Sequence, residues 1–331
     1  MVIERLWKKV IPTTLRVFGA PLASVASLGG QLWEKLHHQK PESPEIHQDL
    51  LVGEVSRELD RPLLIVPGFN YRLSAFHDLT EKLTENGANG ARPYFLRDGQ
   101  VFLDEKCSTP LPKIPSEARI FIAALHNPND PPPASAPQVG QDLEMILQAT
   151  GQAKVDVAAH SMGGLATRKY LDHGGTEVGR FLMVGTPNQG ATLAYASLKL
   201  LDYHERGWPV SWLMAKQGVK ECDRPAYEWL SPHGRDKIQD LNSRAATQLA
   251  RVEQAEIMGG SDLKTYGSAM WKVAGDGTVP ATALEIPGWT TKLPEKLDCP
   301  KHARLFDDPQ VYREMADFFQ WRATEPASLR Q

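Results

Sequence analysis

Runs of consecutive apolar residues, each too short for a buried helix, alternate along the chain with segments whose apolar positions recur every three or four residues. Leu63 to Val66, between Pro62 and Pro67, is the first strong run. Ile120 to Leu125 and Phe181 to Val184 follow, Val155 to Ala159 reads as a further strand, and strand character returns around Val252 to Met258. Continuous apolar runs of this length are the pattern of strands buried on both faces. The helical period appears from about Leu73 to Glu85 (Leu73, Phe76, Leu79 and Leu83 on one face), from about Val139 to Ala149, from Met162 to Leu171, and from about Pro309 to Trp321 with Val311, Met315, Phe318 and Phe319. Strand, helix, strand at this spacing predicts βαβ units with right-handed crossovers. The fold class is therefore α/β, with a mainly parallel central sheet.

Three stretches depart from the alternation. In residues 1–45, Leu15, Phe18, Leu22, Val25, Leu32 and Leu36 recur at helical spacing, and Pro41 and Pro44 mark a joint. This predicts a helical N-terminal extension before a main domain of residues 46–331. Asn86 to Pro115 is polar and proline-bearing, with only short strand candidates at Tyr94-Phe95 and Val101 to Leu103, and reads as an insertion. In residues 191–250 the strand signal nearly vanishes, while Leu193, Leu198, Leu201, Trp208, Trp212 and Leu213 suggest helices. That segment is the candidate helical cap, with those six side chains expected to line an apolar substrate pocket.

Composition narrows the classes of function. Hydrophobic residues at 41% and charged residues at 23% place the chain in the ordinary globular range, which excludes disorder. A formal net charge of −3 gives no global positive field for nucleic acid, and Arg5, Lys8 and Lys9 read as a solvated helix face. Cys107, Cys222 and Cys299 exclude a disulfide framework, and none has the C-x-x-C spacing of a zinc site. Pro12 and Arg16 break the N-terminal apolar stretch, which argues against a signal peptide or membrane helix and for a cytoplasmic protein.

Candidate chemistry lies in Ala159-His160-Ser161-Met162-Gly163-Gly164, where the Val155 strand meets the next helix. A sharp turn there lifts Ser161 above the C-terminal edge of the sheet and demands small neighbours, which Ala159 and Gly163 provide. Pro67-Gly68-Phe69-Asn70 ends the first strand where an oxyanion loop is needed. The backbone N–H groups of Phe69 and Met162 are the candidate donors to an oxygen that becomes negative during acyl transfer.

Over roughly Arg61 to Trp321 this arrangement resembles the α/β-hydrolase superfamily, and within it the bacterial lipases and related acyl hydrolases. Leu182-Met183-Val184-Gly185-Thr186-Pro187-Asn188-Gln189-Gly190 is similar to the segment after the next strand in those lipases. Gly275-Asp276-Gly277-Thr278-Val279-Pro280 resembles the acid-bearing loop, and Lys301-His302-Ala303-Arg304-Leu305 the histidine-bearing loop. The resemblance thus implies a triad of Ser161, Asp276 and His302, in the chain order of that fold. Ala159 departs from the glycine most members carry, a difference some small bacterial lipases share. Among the rival acids Asp262, Asp298, Asp307 and Asp308, none has the flanking glycines that let Asp276 turn inward, while His160 is expected to serve structurally and not as the base.

The function expected is a carboxylic ester hydrolase working through an acyl-enzyme at Ser161. A phospholipase or an acyltransferase would use the same residues, and a non-catalytic binding protein would have no chemical need for all three. No cofactor and no metal is expected, since no dense acidic loop suggests calcium. The expected partner is a small-molecule or lipid ester, with transient contact at a lipid surface.

Overall fold

The computed structural model describes residues 50–232, 235–267 and 271–324, so the expected N-terminal helical extension of residues 1–45 lies outside the described residues. Along the chain come β1 (Arg57–Glu58), β2 (Leu63–Val66), α1 (His77–Thr84), β3 (Tyr94–Arg97), β4 (Gln100–Phe102), β5 (Pro110–Leu111), β6 (Ile120–Ala123), α2 (Pro132–Thr150), β7 (Val155–His160), α3 (Met162–Asp172) and β8 (Val178–Val184). Helices α4 (Thr192–Glu205), α5 (Ser211–Gln217), α6 (Arg224–Leu230), α7 (Arg235–Ser243) and α8 (Ala245–Leu249) follow. The chain then forms β9 (Gln254–Met258), β10 (Leu263–Tyr266), β11 (Lys272–Gly275), β12 (Thr290–Lys292), α9 (Pro309–Phe318) and β13 (Arg322–Ala323).

Nine strands form the main sheet in the order β12-β9-β8-β7-β2-β6-β3-β4-β5. Pairing is parallel from β12 through β3 and antiparallel only at the β3-β4 and β4-β5 edge. Because strand side chains alternate between faces, each continuous apolar run feeds two cores. Leu64 and Val66 of β2 join a cluster with Val139, Leu143 and Ile146 of α2 and Ala166 and Leu171 of α3. Leu63 and Ile65 turn the other way, to Phe76, Leu79 and Leu83 around α1 and to Val311, Tyr312 and Met315 of α9. Helices thus cover both faces, and the C-terminal ends of β2, β7, β8 and β9 share one edge.

Two sequence expectations change. The stretch 86–115 is not an insertion beside the fold: it supplies β3, parallel to β6, and the β4-β5 edge of the sheet. Its strands are only two to four residues long, which is why their apolar signal is weak. Helix α2 starts at Pro132, well before Val139, because a proline at the first helical positions loses no intrahelical bond and brings a suitable φ.

Outside the sheet, β10 and β11 form an antiparallel hairpin, and β1 pairs with β13 in a ribbon joining distant parts of the chain. Among the described residues of 191–250 there are helices and no strand. Their apolar side chains form a third cluster, in which Leu201, Met214, Tyr227, Trp229, Leu230, Ile238 and Leu241 gather on Met162 and Leu165 of α3. Among the described residues no helix is long and apolar enough to cross a membrane.

Candidate active site

Ser161 lies between the last residue of β7 and the first of α3, with φ 51° and ψ −125°. A non-glycine residue with positive φ is strained. Here the strain is held by its surroundings: the Ser161 N–H donates to the Val184 carbonyl at 2.9 Å, and its own carbonyl accepts from Gly164 N–H at 3.0 Å. Small neighbours are obligatory. A Cβ on Gly163 would sit 2.5 Å from the carbonyl oxygens of Val66 and Pro67, one on Gly164 2.1 Å from Thr186 Oγ1, and one on Gly68 2.7 Å from Ser161 Cβ.

The acid arrives on the turn after β11. Asp276 is 2% exposed. Its Oδ1 accepts from the N–H groups of Thr278 (2.9 Å) and Val279 (2.7 Å), leaving Oδ2 to accept from His302 Nδ1 at 2.7 Å. The turn is tied down further by Gly277 N–H, which donates to Thr265 Oγ1 at 2.7 Å. His302 opens a short 3-10 turn, and its N–H donates to the Asp276 carbonyl at 2.9 Å, so backbone and side chain register the two loops together. With Nδ1 protonated toward Asp276, Nε2 accepts from the Ser161 hydroxyl at 2.9 Å. Gly185, with φ 64°, makes room for the ring, since a Cβ there would lie 3.0 Å from His302 Cε1.

Met162 opens α3 directly after Ser161, and Phe69 follows Gly68, where a Cβ would sit 2.7 Å from Ser161 Cβ. Their side chains have a second part: Met162 belongs to the third apolar cluster, Phe69 packs against it, and the Phe69 ring lies 5.3 Å from Tyr227 of α6.

The six cap residues named from sequence divide. Leu201 is in that cluster, Leu198 and Leu213 pack against it, and Leu193 is half-buried outside it. Trp208 and Trp212, expected to line a pocket, are instead 47% and 58% exposed. Trp208 lies in the turn after α4 and packs on Tyr203, while Trp212 is in the first turn of α5, a helix whose one fully buried residue is Met214. Tyr227, Trp229 and Leu230 of α6, which the sequence reading passed over, are buried in the cluster instead.

Sequence reasoning also left the surrounding polar network undivided. Asn188 is buried; its Oδ1 accepts from Arg168 Nη1 at 3.0 Å and its Nδ2 donates to the Leu284 carbonyl at 2.7 Å. Arg168 further donates from Nε to Gln248 Oε1 at 2.9 Å, and its guanidinium lies 5.8 Å from the Trp289 ring. Gln189 ties the same loop to residues 283–285 through its N–H and Nε2. His160 is fully buried and donates from Nε2 to the His302 carbonyl at 2.8 Å. Of the rival acids, Asp308 caps α9 and Asp307 pairs with Arg304. The three cysteines are free thiols, and among the described residues no group of three or more His, Cys, Asp or Glu side chains is gathered as for a metal.

Residues 137–254, from α2 through the serine turn to the start of β9, match the family model described as Lipase (class 2). No curated protein matches the chain. Among solved structures, the mature form of Bacillus licheniformis lipase BlEst2 is similar over 80% of this chain and 94% of that one, at 19% identity and a TM-score of 0.50. Its propeptide form is 20% identical, covering 81% of this chain and 52% of the longer one, with a TM-score of 0.52. The lin2722 gene product of Listeria innocua is 15% identical over 81% and 96% of the two chains, with a TM-score of 0.50. These likenesses place the chain in the α/β-hydrolase fold.

Proposed function

We propose that this α/β-hydrolase-fold chain is a serine hydrolase of carboxylic esters, in which Ser161, His302 and Asp276 form the catalytic triad. The observation that carries the proposal is the hydrogen-bonded line from Ser161 Oγ to His302 Nε2 (2.9 Å) and from His302 Nδ1 to Asp276 Oδ2 (2.7 Å). The class 2 lipase match over residues 137–254 supports the same reading.

In this reading Ser161 Oγ attacks the ester carbonyl carbon while its proton passes to His302 Nε2. Asp276 stays ionised, holds Nδ1–H and stabilises the imidazolium. The carbonyl oxygen, now negative, accepts from the N–H groups of Phe69 and Met162, each such donor being worth about 3 to 4 kcal/mol in the transition state. The C–O bond breaks, His302 returns the proton to the leaving alkoxide, and an alcohol departs. Water, deprotonated by His302, then attacks the acyl-serine; the acid is released and Ser161 regains its proton.

The substrates proposed are esters with apolar acyl chains. Phe69 and Met162 motivate this, because the residues offered as oxyanion donors also touch the apolar cluster beneath the helices of 191–250. An active-serine phosphonate should label Ser161 stoichiometrically and fail to label Ser161→Ala, which would separate an enzyme from a binding protein of the same fold. A panel of soluble esters and phospholipids, with and without an added alcohol, reads substrate class and acceptor. Labelling at another serine would reject the proposal.

A further inference from the structure

We propose that Tyr71 and His160 are positioning residues that together clamp the main chain of the histidine loop, fixing His302 against Ser161; this rests on the reaction proposed above. Tyr71 belongs to the loop after β2 and His160 is the last residue of β7, yet both donate to consecutive carbonyls of one segment. His160 Nε2 reaches the His302 carbonyl at 2.8 Å, and Tyr71 Oη reaches the Ala303 carbonyl at 2.6 Å. With the His302 N–H on the Asp276 carbonyl at 2.9 Å, the segment is held from the oxyanion loop, the serine turn and the acid loop at once.

The clamp is itself braced. The Tyr71 and His160 rings are 4.4 Å apart, His160 lies 4.7 Å from the His302 ring and 5.9 Å from Phe306, and Tyr71 packs on Phe76 at 5.0 Å. Gly68 lies against His160, where a Cβ would sit 3.1 Å from His160 Nδ1. Packing alone does not explain an imidazole here: His160 is fully buried and its Nδ1 has no hydrogen-bond partner, a cost that an apolar ring would avoid.

Both donors keep their protons at working pH. Burial, with the phenol's neighbour Asp307 as a second cause, raises Tyr71 well above the ordinary phenol range. Burial, and next the proximity of His302, hold His160 well below the usual imidazole range. His160 therefore stays neutral with its proton on Nε2, and adds no second cation beside the imidazolium that forms at His302. Among the described residues, the charged groups that act on Tyr71 are Asp307 and Arg304, themselves an ion pair (2.9 Å), while Asp276 faces His302 on its other side.

A 1 Å misplacement of a catalytic group costs on the order of a hundredfold in rate, which sets the expected effects. Tyr71→Phe, which removes one oxygen and keeps the ring, should lower kcat about tenfold with KM nearly unchanged; His160→Leu should lower it about a hundredfold. His160→Gln, whose amide nitrogen reaches for the same carbonyl, should recover most of the loss. The loss in Tyr71→Phe and His160→Leu should fall on kcat and not on KM, and kcat should return in His160→Gln. All rates are taken per phosphonate-titrated site, which discounts unfolded protein, and thermal midpoints are recorded alongside. Wild-type kcat in Tyr71→Phe and His160→Leu, even with lowered midpoints, would overturn the clamp, as would a His160→Gln no better than His160→Leu. Failure of the wild type to label at Ser161 would instead overturn the underlying reaction and the clamp with it.

Discussion

At Ser161 a backbone strain and a hydroxyl are inseparable: φ of 51° is what turns the side chain toward His302 Nε2. Replacing Ser161 or His302 by alanine should each lower ester turnover by several orders of magnitude, and Asp276→Asn by about 10⁴-fold if the carboxylate fixes the tautomer as in serine proteases. Single-turnover kinetics on folded variants check this, and a wild-type acylation rate in any of them would reject its role. Gly185→Ala should lower kcat more than stability, because its new Cβ meets the His302 ring at 3.0 to 3.1 Å from the φ 64° position. The serine turn was legible in the sequence since its small residues are adjacent to Ser161. Gly185 and Tyr71 were not, as their roles exist only once residues far apart in the chain meet at His302.

Among elements, α3 leaves the serine turn and α9 follows the turn that His302 opens. Asp308 caps α9, its Oδ1 accepting from Gln310 N–H (2.8 Å) and Val311 N–H (3.3 Å), while Oδ2 accepts from Cys299 N–H at 2.7 Å. Asp308→Ala should cost about 1 to 2 kcal/mol in chemical denaturation and loosen the loop bearing His302. Arg168 joins α3 to α8 and to Asn188, and burial pulls its pKa to about 9, still charged at neutral pH. Arg168→Met would leave Asn188 Oδ1 and Gln248 Oε1 buried without that donor, a loss of about 1 to 3 kcal/mol for each, read as a lowered urea midpoint. At the end of α3, burial tends to raise the Asp172 carboxyl, but hydrogen bonds from Arg244 and Lys169 win and hold it at about 2 against an ordinary 3.8. A depressed folded pKa gives stability that is complete above 3.8 and lost as pH falls through 2. Arg244→Gln should therefore flatten the acid branch of the stability curve in that window, and an unchanged branch would reject the pair's contribution. The inner strands β2, β7 and β8 were plain in the sequence because burial on both faces keeps them mainly apolar, β2 without a break and β7 and β8 interrupted by the buried Asp156–Arg180 pair. Strands β3 to β5 are too short for a clear run, and the β10-β11 hairpin lies outside the sheet with most of its residues partly or fully exposed, so both resemble loops.

For the molecule as a whole, three apolar clusters divide the work: two sandwich the sheet and the third joins helices α4 to α7 to the serine side. If that third cluster borders an acyl site, kcat/KM should climb with acyl length, at most about 0.8 kcal/mol per buried methylene, and then plateau. Soluble esters of increasing acyl length, kept monomeric, measure this; Tyr227→Ala should shift the plateau, whereas Trp208→Ala and Trp212→Ala, exposed in the structure, should not. A steep preference for acetyl esters, unmoved by Tyr227→Ala, would leave a small-ester hydrolase. The ribbon of β1 and β13 bears on the order in which the molecule is made. Thr324 N–H donates to the Ser56 carbonyl at 3.0 Å across 268 positions, and Tyr312 Oη to the Val55 carbonyl at 2.9 Å. During synthesis on the ribosome, one face of the sheet must therefore wait, with Leu63, Ile65 and Phe76 uncovered, until Tyr312, Phe319 and Trp321, far along the chain from them, have emerged. A nascent chain halted at Pro300 should accordingly recruit chaperones and aggregate when released, while one carried through Thr324 should leave the tunnel competent to close.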